Sequence, residues 1–330
     1  MPLSQSAKLV NNLFDTKNLT MAGTRDGWGK ALVELGKKDE RVVVLCADLS
    51  ESTRCHWFQK EFPKRYIQVG VAEQNLITVG AGLAAAGKIP YMVSYAAFSP
   101  GRCWEQIRTN FGYSALHGIV GGAHAGVSVG PDGATHQAVE DIATMRTIAG
   151  GVVLAPCDAI RAKQATMAAH NVPSLAYIRF GRDNYPVFTT EETPFQIGKA
   201  EVFYEGSDVT VVACGPMVYE ALLAAKQLEG QISVEVIDST TIKPLDVETI
   251  VNSVKKTGAV VTAEEATVIG GLGGAVAETL AKHYPAPIEF IGIQDHYGES
   301  GSAPELFAKF HLTATDIIAA IKKVQQRKLA

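Results

Sequence analysis

The sequence has no long uninterrupted apolar run, so a membrane-spanning helix is not expected. Its opening, Met1 to Lys8, lacks the hydrophobic stretch of a secretory signal. Five cysteines (Cys46, Cys55, Cys103, Cys157 and Cys214) are odd in number and form no C-x-x-C pair. That argues against a disulfide framework and for reduced thiols in the cytoplasm. Positive charge is not in excess either: 30 Lys and Arg stand against 34 Asp and Glu, a net charge of -4. Without a basic field or a polybasic cluster, neither nucleic acid nor an anionic membrane is an expected partner. A P-loop, H-E-x-x-H and a clustered His/Cys set are all missing, so no metal site is expected on this chain.

What is present is a long α/β alternation. With 330 residues, 47% of them hydrophobic, the chain is large enough for two domains. Its 31 glycines suit tight turns between strands and helices in a doubly wound fold. Residues 1–20 are polar and loosely patterned, an arm expected to lie on a neighbour. Residues 21–182 read as a first domain. In it, Thr24 or Asp26 caps a helix carrying Trp28, Ala31, Leu32 and Leu35. The runs Arg41–Cys46, Arg65–Val69, Pro90–Tyr95, Gly118–Gly121, Gly151–Ala155 and Ser174–Arg179 read as buried strands. Helices are expected over Leu76–Ala86, Arg102–Phe111, from Ala138 onward, and over Ala159–His170. Residues 183–197, with two prolines and little periodicity, form a linker. Residues 198–330 restart the alternation and end in a helix, Thr313–Gln326, with Ile317, Ile318, Ile321 and Val324 on one face. Strand–helix units in this order predict mostly parallel sheets.

Three features stand out chemically. Glu73 lies where a strand runs into a helix, a place where open α/β sheets bind ligands. It is equally a first-turn acid favoured by the helix dipole. Residues 121–137 form a long glycine-rich loop holding His124, Asp132 and His136, with Arg179 at the end of a later strand. Two histidines and a carboxylate on such a loop can close on a small polar substrate, and histidine titrates near neutral pH. Gly270–Gly274 opens a helix but is not G-x-G-x-x-G, and is read as a helix-packing element. Lys243-Pro244 and Glu264-Glu265 are read as solvated or interface groups.

Five segments, Thr24-Arg25, Ala47–Ser52, Gly70-Val-Ala-Glu-Gln74, Pro131–Gln137 and Gly298-Glu-Ser-Gly301, occur in an order that resembles the C-terminal half of transketolase. The likeness runs from residue 20 to nearly the end. It implies a thiamine-diphosphate-enzyme pyrimidine-binding domain followed by a transketolase C-terminal domain, acting in the pentose phosphate pathway. Glu73 then holds the aminopyrimidine ring nitrogen, Phe98 stacks on that ring with Tyr95 beside it, and Asp48 belongs to the cofactor site. Asp132 and His136 match residues that contact the sugar, His136 with a catalytic role. Arg25, Ser52, His124 and Arg179 match a phosphate-binding set for phosphorylated sugars. The loop after Asp48 departs from the Thr-Pro-Ser form of several relatives, which bears on Ser52. The Gly-Asp-Gly element that binds magnesium and the diphosphate in full transketolases does not occur here. The resemblance therefore implies one subunit of a split transketolase. Its partner would be an N-terminal subunit carrying magnesium, in an α2β2 assembly, with the arm and the glycine-rich loop as partner surfaces. Deoxyxylulose-phosphate synthase and the β subunits of 2-oxo-acid dehydrogenases share the layout and stay open as alternatives, as does a non-catalytic regulatory partner.

Overall fold

The computed structural model describes residues 3–329; Met1 and Pro2 of the expected arm, and the terminal Ala330, lie outside them. Strand β1 (Met21–Gly23) leads into helix α1 (Thr24–Lys38), where the Asp26 carboxylate accepts the Gly23 N–H at 3.2 Å. Then come β2 (Val42–Cys46), α2 (Cys55–Glu61), β3 (Tyr66–Gln68), α3 (Glu73–Ala85) and β4 (Ile89–Tyr95). A short α4 (Trp104–Ile107) runs on into a π-helical segment, Arg108–Tyr113, so the helix expected over this region is present but changes type midway. The first half is completed by β5 (Gly118–Ala123), α5 (Asp141–Arg146), β6 (Val152–Leu154), α6 (Ala159–Ala169) and β7 (Leu175–Phe180). Helix α5 starts later than Ala138 because the preceding backbone is bonded elsewhere. Ala138 pairs with Ala125, its carbonyl accepts from Gly126, and the Val139 carbonyl accepts from Thr267.

The second half contains β8 (Asn184–Pro186), β9 (Glu201–Tyr204), β10 (Val209–Ala213), α7 (Met217–Gln227), β11 (Val234–Asp238) and β12 (Thr241–Lys243). It continues with α8 (Val247–Thr257), β13 (Val260–Thr267), α9 (Leu272–His283), β14 (Ile288–Ile293), α10 (Ala303–Lys309) and α11 (Ala314–Leu329). Two mostly parallel sheets result, ordered β12-β6-β7-β5-β4-β2-β3 and β14-β13-β10-β11-β9. Strands β2, β5 and β7 are buried along their whole length, as strands of a parallel sheet covered on both faces should be. Trp28 anchors the first core, its ring 5.2 Å from Phe180 and 5.8 Å from Tyr91. Helix α1 can lie against α6 because residue 27 is glycine: a Cβ there would stand 2.0 Å from the Ala159 carbonyl oxygen.

Three connections tie the halves together. Strand β12 follows β11 in the chain yet pairs antiparallel with β6, at the edge of the first sheet. Strand β8, inside the expected linker, pairs antiparallel with β1. The arm, from Leu3 onward, packs on its own second half. Ser4 N–H donates to the Phe203 carbonyl, Leu13 is fully buried, and Tyr219 Oη donates to the Leu13 carbonyl at 3.1 Å. Leu13 and Ala7 share a core cluster with Phe203, Tyr204 and Tyr219, which is the burial that draws the arm inward.

Candidate active site

Most of the singled-out residues emerge at the carboxyl ends of β2, β3, β4 and β5, the crevice side of a parallel sheet, with Arg25 in the first turn of α1. Glu73 is the first residue of α3 and is 2% exposed. Its Oε2 accepts from Arg102 Nη1 at 2.7 Å and its Oε1 from Ser94 Oγ at 3.4 Å. Half-buried Tyr95 and Phe98 follow at the end of β4. The Tyr95 ring stacks on His124 with centroids 4.2 Å apart, and Phe98 meets His136 edge-on at 5.2 Å. Four rings and one buried carboxylate thus share one end of the sheet. Asp48 lies at the same end, exposed, with its N–H donating to Gln68 Oε1 at 2.7 Å.

Beside the rings stands a cationic group. Arg25 Nη1 donates to the Ser52 carbonyl at 3.2 Å and lies 3.4 Å from His124 Nε2. Ser52 thus enters the cluster through its backbone oxygen. Burial, followed by the charges of Arg25 and Arg182, holds the His124 imidazole down to about 3. His124 is therefore neutral throughout the neutral range, and the expected titration near pH 7 does not apply to it. Its Nδ1 and Arg25 Nε are buried with no partner among the described residues. Buried polar atoms are rarely left so.

Sequence reasoning missed Arg182. Its Nη1 donates to the Val129 carbonyl at 2.7 Å and lies 3.4 Å from Asp132 Oδ1. With Arg25, Ser128, Asp183 and Ser302 it lines a cavity of about 340 Å³. The signal was available: β7 ends at Phe180, so Arg182 is the first arginine to clear the strand's carboxyl end.

Arg179, expected in the phosphate-binding set, does not line that cavity. Its side chain turns back into the junction between the halves, where Nε bonds Asp141 Oδ2 at 2.9 Å and Nη2 the Glu265 carbonyl at 2.6 Å. The reading of Glu264 and Glu265 as solvated groups is likewise corrected for solvent: both are buried in β13, at the junction. Glu264 accepts the N–H groups of Leu272 and Gly273, so the start of α9 is occupied by the chain's own carboxylate. Glu265 Oε1 accepts the Ser128 N–H at 2.7 Å. Residue 126 must be glycine here: φ is 83° and a Cβ would lie 2.2 Å from Glu265 Oε1. Gln137 Nε2 bonds the carbonyls of Val127 and, across the junction, Glu299 at 2.8 Å. Lys243 is an interface group, donating to the Arg146 carbonyl at 2.8 Å.

Comparison with known proteins follows the same geography. Residues 20–187 match the transketolase pyrimidine binding domain and residues 198–317 the transketolase C-terminal domain. The chain is 42% identical to a 6-deoxy-6-sulfo-D-fructose transketolase subunit of Clostridium sp. (strain MSTE9), over 97% of this chain and 99% of that one. It is 43% identical to a putative transketolase C-terminal section of Methanocaldococcus jannaschii, over 93% of this chain and 97% of the relative. A solved split-gene transketolase, described as an inactive β4 tetramer, superposes with a TM-score of 0.87 at 44% identity, covering 93% of this chain and 99% of that one. The chain belongs to the transketolase family and corresponds to its C-terminal half, the pyrimidine-binding and C-terminal domains, as in relatives described as a transketolase subunit and a transketolase C-terminal section.

Proposed function

We propose that this chain is a catalytic subunit of a thiamine-diphosphate-dependent transketolase that moves a two-carbon ketol unit from a ketose phosphate to an aldose phosphate. The observation that carries the reading is the buried Glu73 carboxylate beside the Phe98 and Tyr95 rings, next to the Arg25–His124 cluster. The residues fit the cofactor: a desolvated carboxylate suits a ring nitrogen, and aromatic faces suit a planar heterocycle. Bound thiamine diphosphate supplies an acidic C–H carbon able to bond a ketose carbonyl carbon and carry the two-carbon unit.

The chain's own part is to orient and neutralise. Glu73 hydrogen-bonds the aminopyrimidine nitrogen in a water-poor site, where such a bond is stronger than in solution. Phe98 and Tyr95 take the ring, with Asp48 at the rim. His136 and Asp132, at the mouth, meet sugar hydroxyls and the reacting carbonyl. His124, uncharged, hydrogen-bonds without competing with the arginines. Arg25 and Arg182 hold the distal phosphate in the cavity they line, and Arg182 replaces Arg179 in that role.

Relatives of the same span described as transketolase subunits support a partner chain. In this reading that partner carries the diphosphate and magnesium site, in an α2β2 assembly in the cytoplasm. The test is affinity capture of the tagged chain with magnesium and thiamine diphosphate, followed by assay of transfer from xylulose 5-phosphate to ribose 5-phosphate. The expected result is a co-eluting chain containing Gly-Asp-Gly and transfer that Glu73→Gln reduces to near background. Pyruvate turnover instead of ketol transfer would move the assignment to the synthase or dehydrogenase alternatives. Capture without any turnover would leave a regulatory subunit.

A further inference from the structure

Glu73 and Phe98 already share a planar guest supplied by the chain itself. Arg102 Nη1 donates to Glu73 Oε2 at 2.7 Å, and the Arg102 guanidinium carbon lies 5.0 Å from the Phe98 ring centroid. Arg102 comes from the segment between β4 and α4. Its side chain is 52% exposed while that of Glu73 is 2% exposed. Among the described residues, this is the one hydrogen bond its guanidinium makes. A guanidinium is flat, carries N–H donors along one edge, and stacks on aromatic faces. An aminopyrimidine offers the same two features, a flat face and a nitrogen edge for a carboxylate. Resting on the cofactor assignment above, we propose that Arg102 is a positioning residue that stands in for the aminopyrimidine on Glu73 and Phe98, and must be displaced for cofactor to bind.

The arrangement has a physical rationale. A buried carboxylate with no partner is costly, and Arg102 supplies that partner while the chain folds. The exposed, singly bonded guanidinium can swing into water without breaking any other side-chain hydrogen bond. Capture of the cofactor's pyrimidine end is therefore opposed in the chain alone and requires binding energy from elsewhere, which a partner holding the diphosphate end would provide.

The test is saturation-transfer NMR on the full chain by itself, titrated with the neutral aminopyrimidine half of thiamine as its hydroxymethyl derivative. A neutral probe keeps simple charge repulsion out of the comparison. Removing one charge-assisted hydrogen bond that competes with the ligand should tighten binding by about tenfold in Arg102→Ala. Arg102→Lys, which keeps the charge without the flat fork, should fall between Arg102→Ala and the wild type. Adding Glu73→Gln to Arg102→Ala should remove the gain. Loss of structure alone cannot raise affinity, and Arg102→Gln serves as the second variant where the alanine form is unstable. Wild type and both variants binding equally, with binding lost in Glu73→Gln, would overturn the stand-in and leave the cofactor assignment intact. No binding by any variant, together with no thiamine diphosphate retained by the chain captured with its partner, would overturn both.

Discussion

Glu265 and Ser128 are 137 residues apart in sequence, yet the Glu265 carboxylate accepts the Ser128 N–H at 2.7 Å. Through this bond the second half of the chain holds the loop that carries His124, Asp132 and His136. The Gln137 amide makes the return connection to the Glu299 carbonyl, and Tyr185 Oη donates to Ser128 Oγ at 2.5 Å from below. The C-terminal domain is thus part of the site's scaffold although, among the described residues, none of its carboxylates bonds to Glu73, Tyr95, Phe98, His124 or His136.

A pH dependence follows from the burial of this carboxylate and of its neighbour Glu264. Burial pushes Glu264 and Glu265 up to about 7 from the ordinary carboxylate value of 4.5. Between those limits the folded chain keeps protons that the unfolded chain releases, so stability falls as pH rises through the window and levels off above about pH 7. Glu265→Gln keeps an oxygen for the Ser128 N–H and removes one of the two titrations. Thermal unfolding from pH 5 to pH 8 should therefore show a shallower fall for the variant than for the wild type. Parallel curves would mean that Glu265 is ionised throughout.

The two arginines at the end of β7 should separate cleanly. Arg179→Ala leaves Asp141, 1% exposed, without its cation. Breaking a buried pair in this way costs roughly 3–5 kcal/mol, so the variant should lose thermal stability first. Arg182 is 39% exposed and sits at the cavity. Its alanine variant should keep the wild-type melting temperature and raise the phosphosugar KM about tenfold or more, the size of one charge-assisted bond. The same KM effect is expected of Arg25→Ala. A stable Arg179→Ala with a raised KM would return the phosphate role to that residue.

How much of this was legible depends on the range of the interaction. Strands β2 and β5 are continuous apolar runs and β7 is one but for Arg179, so their burial was readable from composition alone. Glu73 was readable as an acid at a strand–helix turn. Arg179 was not, because one charged residue near the end of an apolar strand looks the same whether it leaves the sheet or turns inward toward Asp141. Strand β12 is only three residues long, and its partner β6 lies far upstream, so no local pattern announces it. The sequence left the Glu264-Glu265 pair open between solvated and interface groups because its partners, the N–H groups of Ser128, Leu272 and Gly273, are backbone groups with no sequence signature.

Gln137 should act on the loop more than on the fold. Its side chain bridges Val127, Gly130 and Glu299 carbonyls at 3.1, 3.2 and 2.8 Å. Gln137→Ala removes the donor from three carbonyls while leaving the sheets untouched. Hydrogen exchange should accelerate over residues 126–137, whereas β5 and β7 exchange as in the wild type. Uniform acceleration across both sheets would show that Gln137 supports the whole domain instead.

The arm offers a test of which surface it serves. Leu13 is fully buried among Phe203, Tyr204 and Tyr219, and Phe14 meets the Tyr204 ring edge-on at 6.4 Å. Cutting Leu13 back to alanine leaves a cavity inside one chain, at about 2–5 kcal/mol for a buried leucine. The isolated chain should therefore melt several degrees lower, and below that temperature its partner affinity should match the wild type. An arm that docked on a partner would give the opposite pair of results, an unchanged melting temperature for the isolated chain and a weakened assembly. Measuring both on the same Leu13→Ala protein decides between them, because intrachain burial and interchain burial cannot each be lost without moving its own readout.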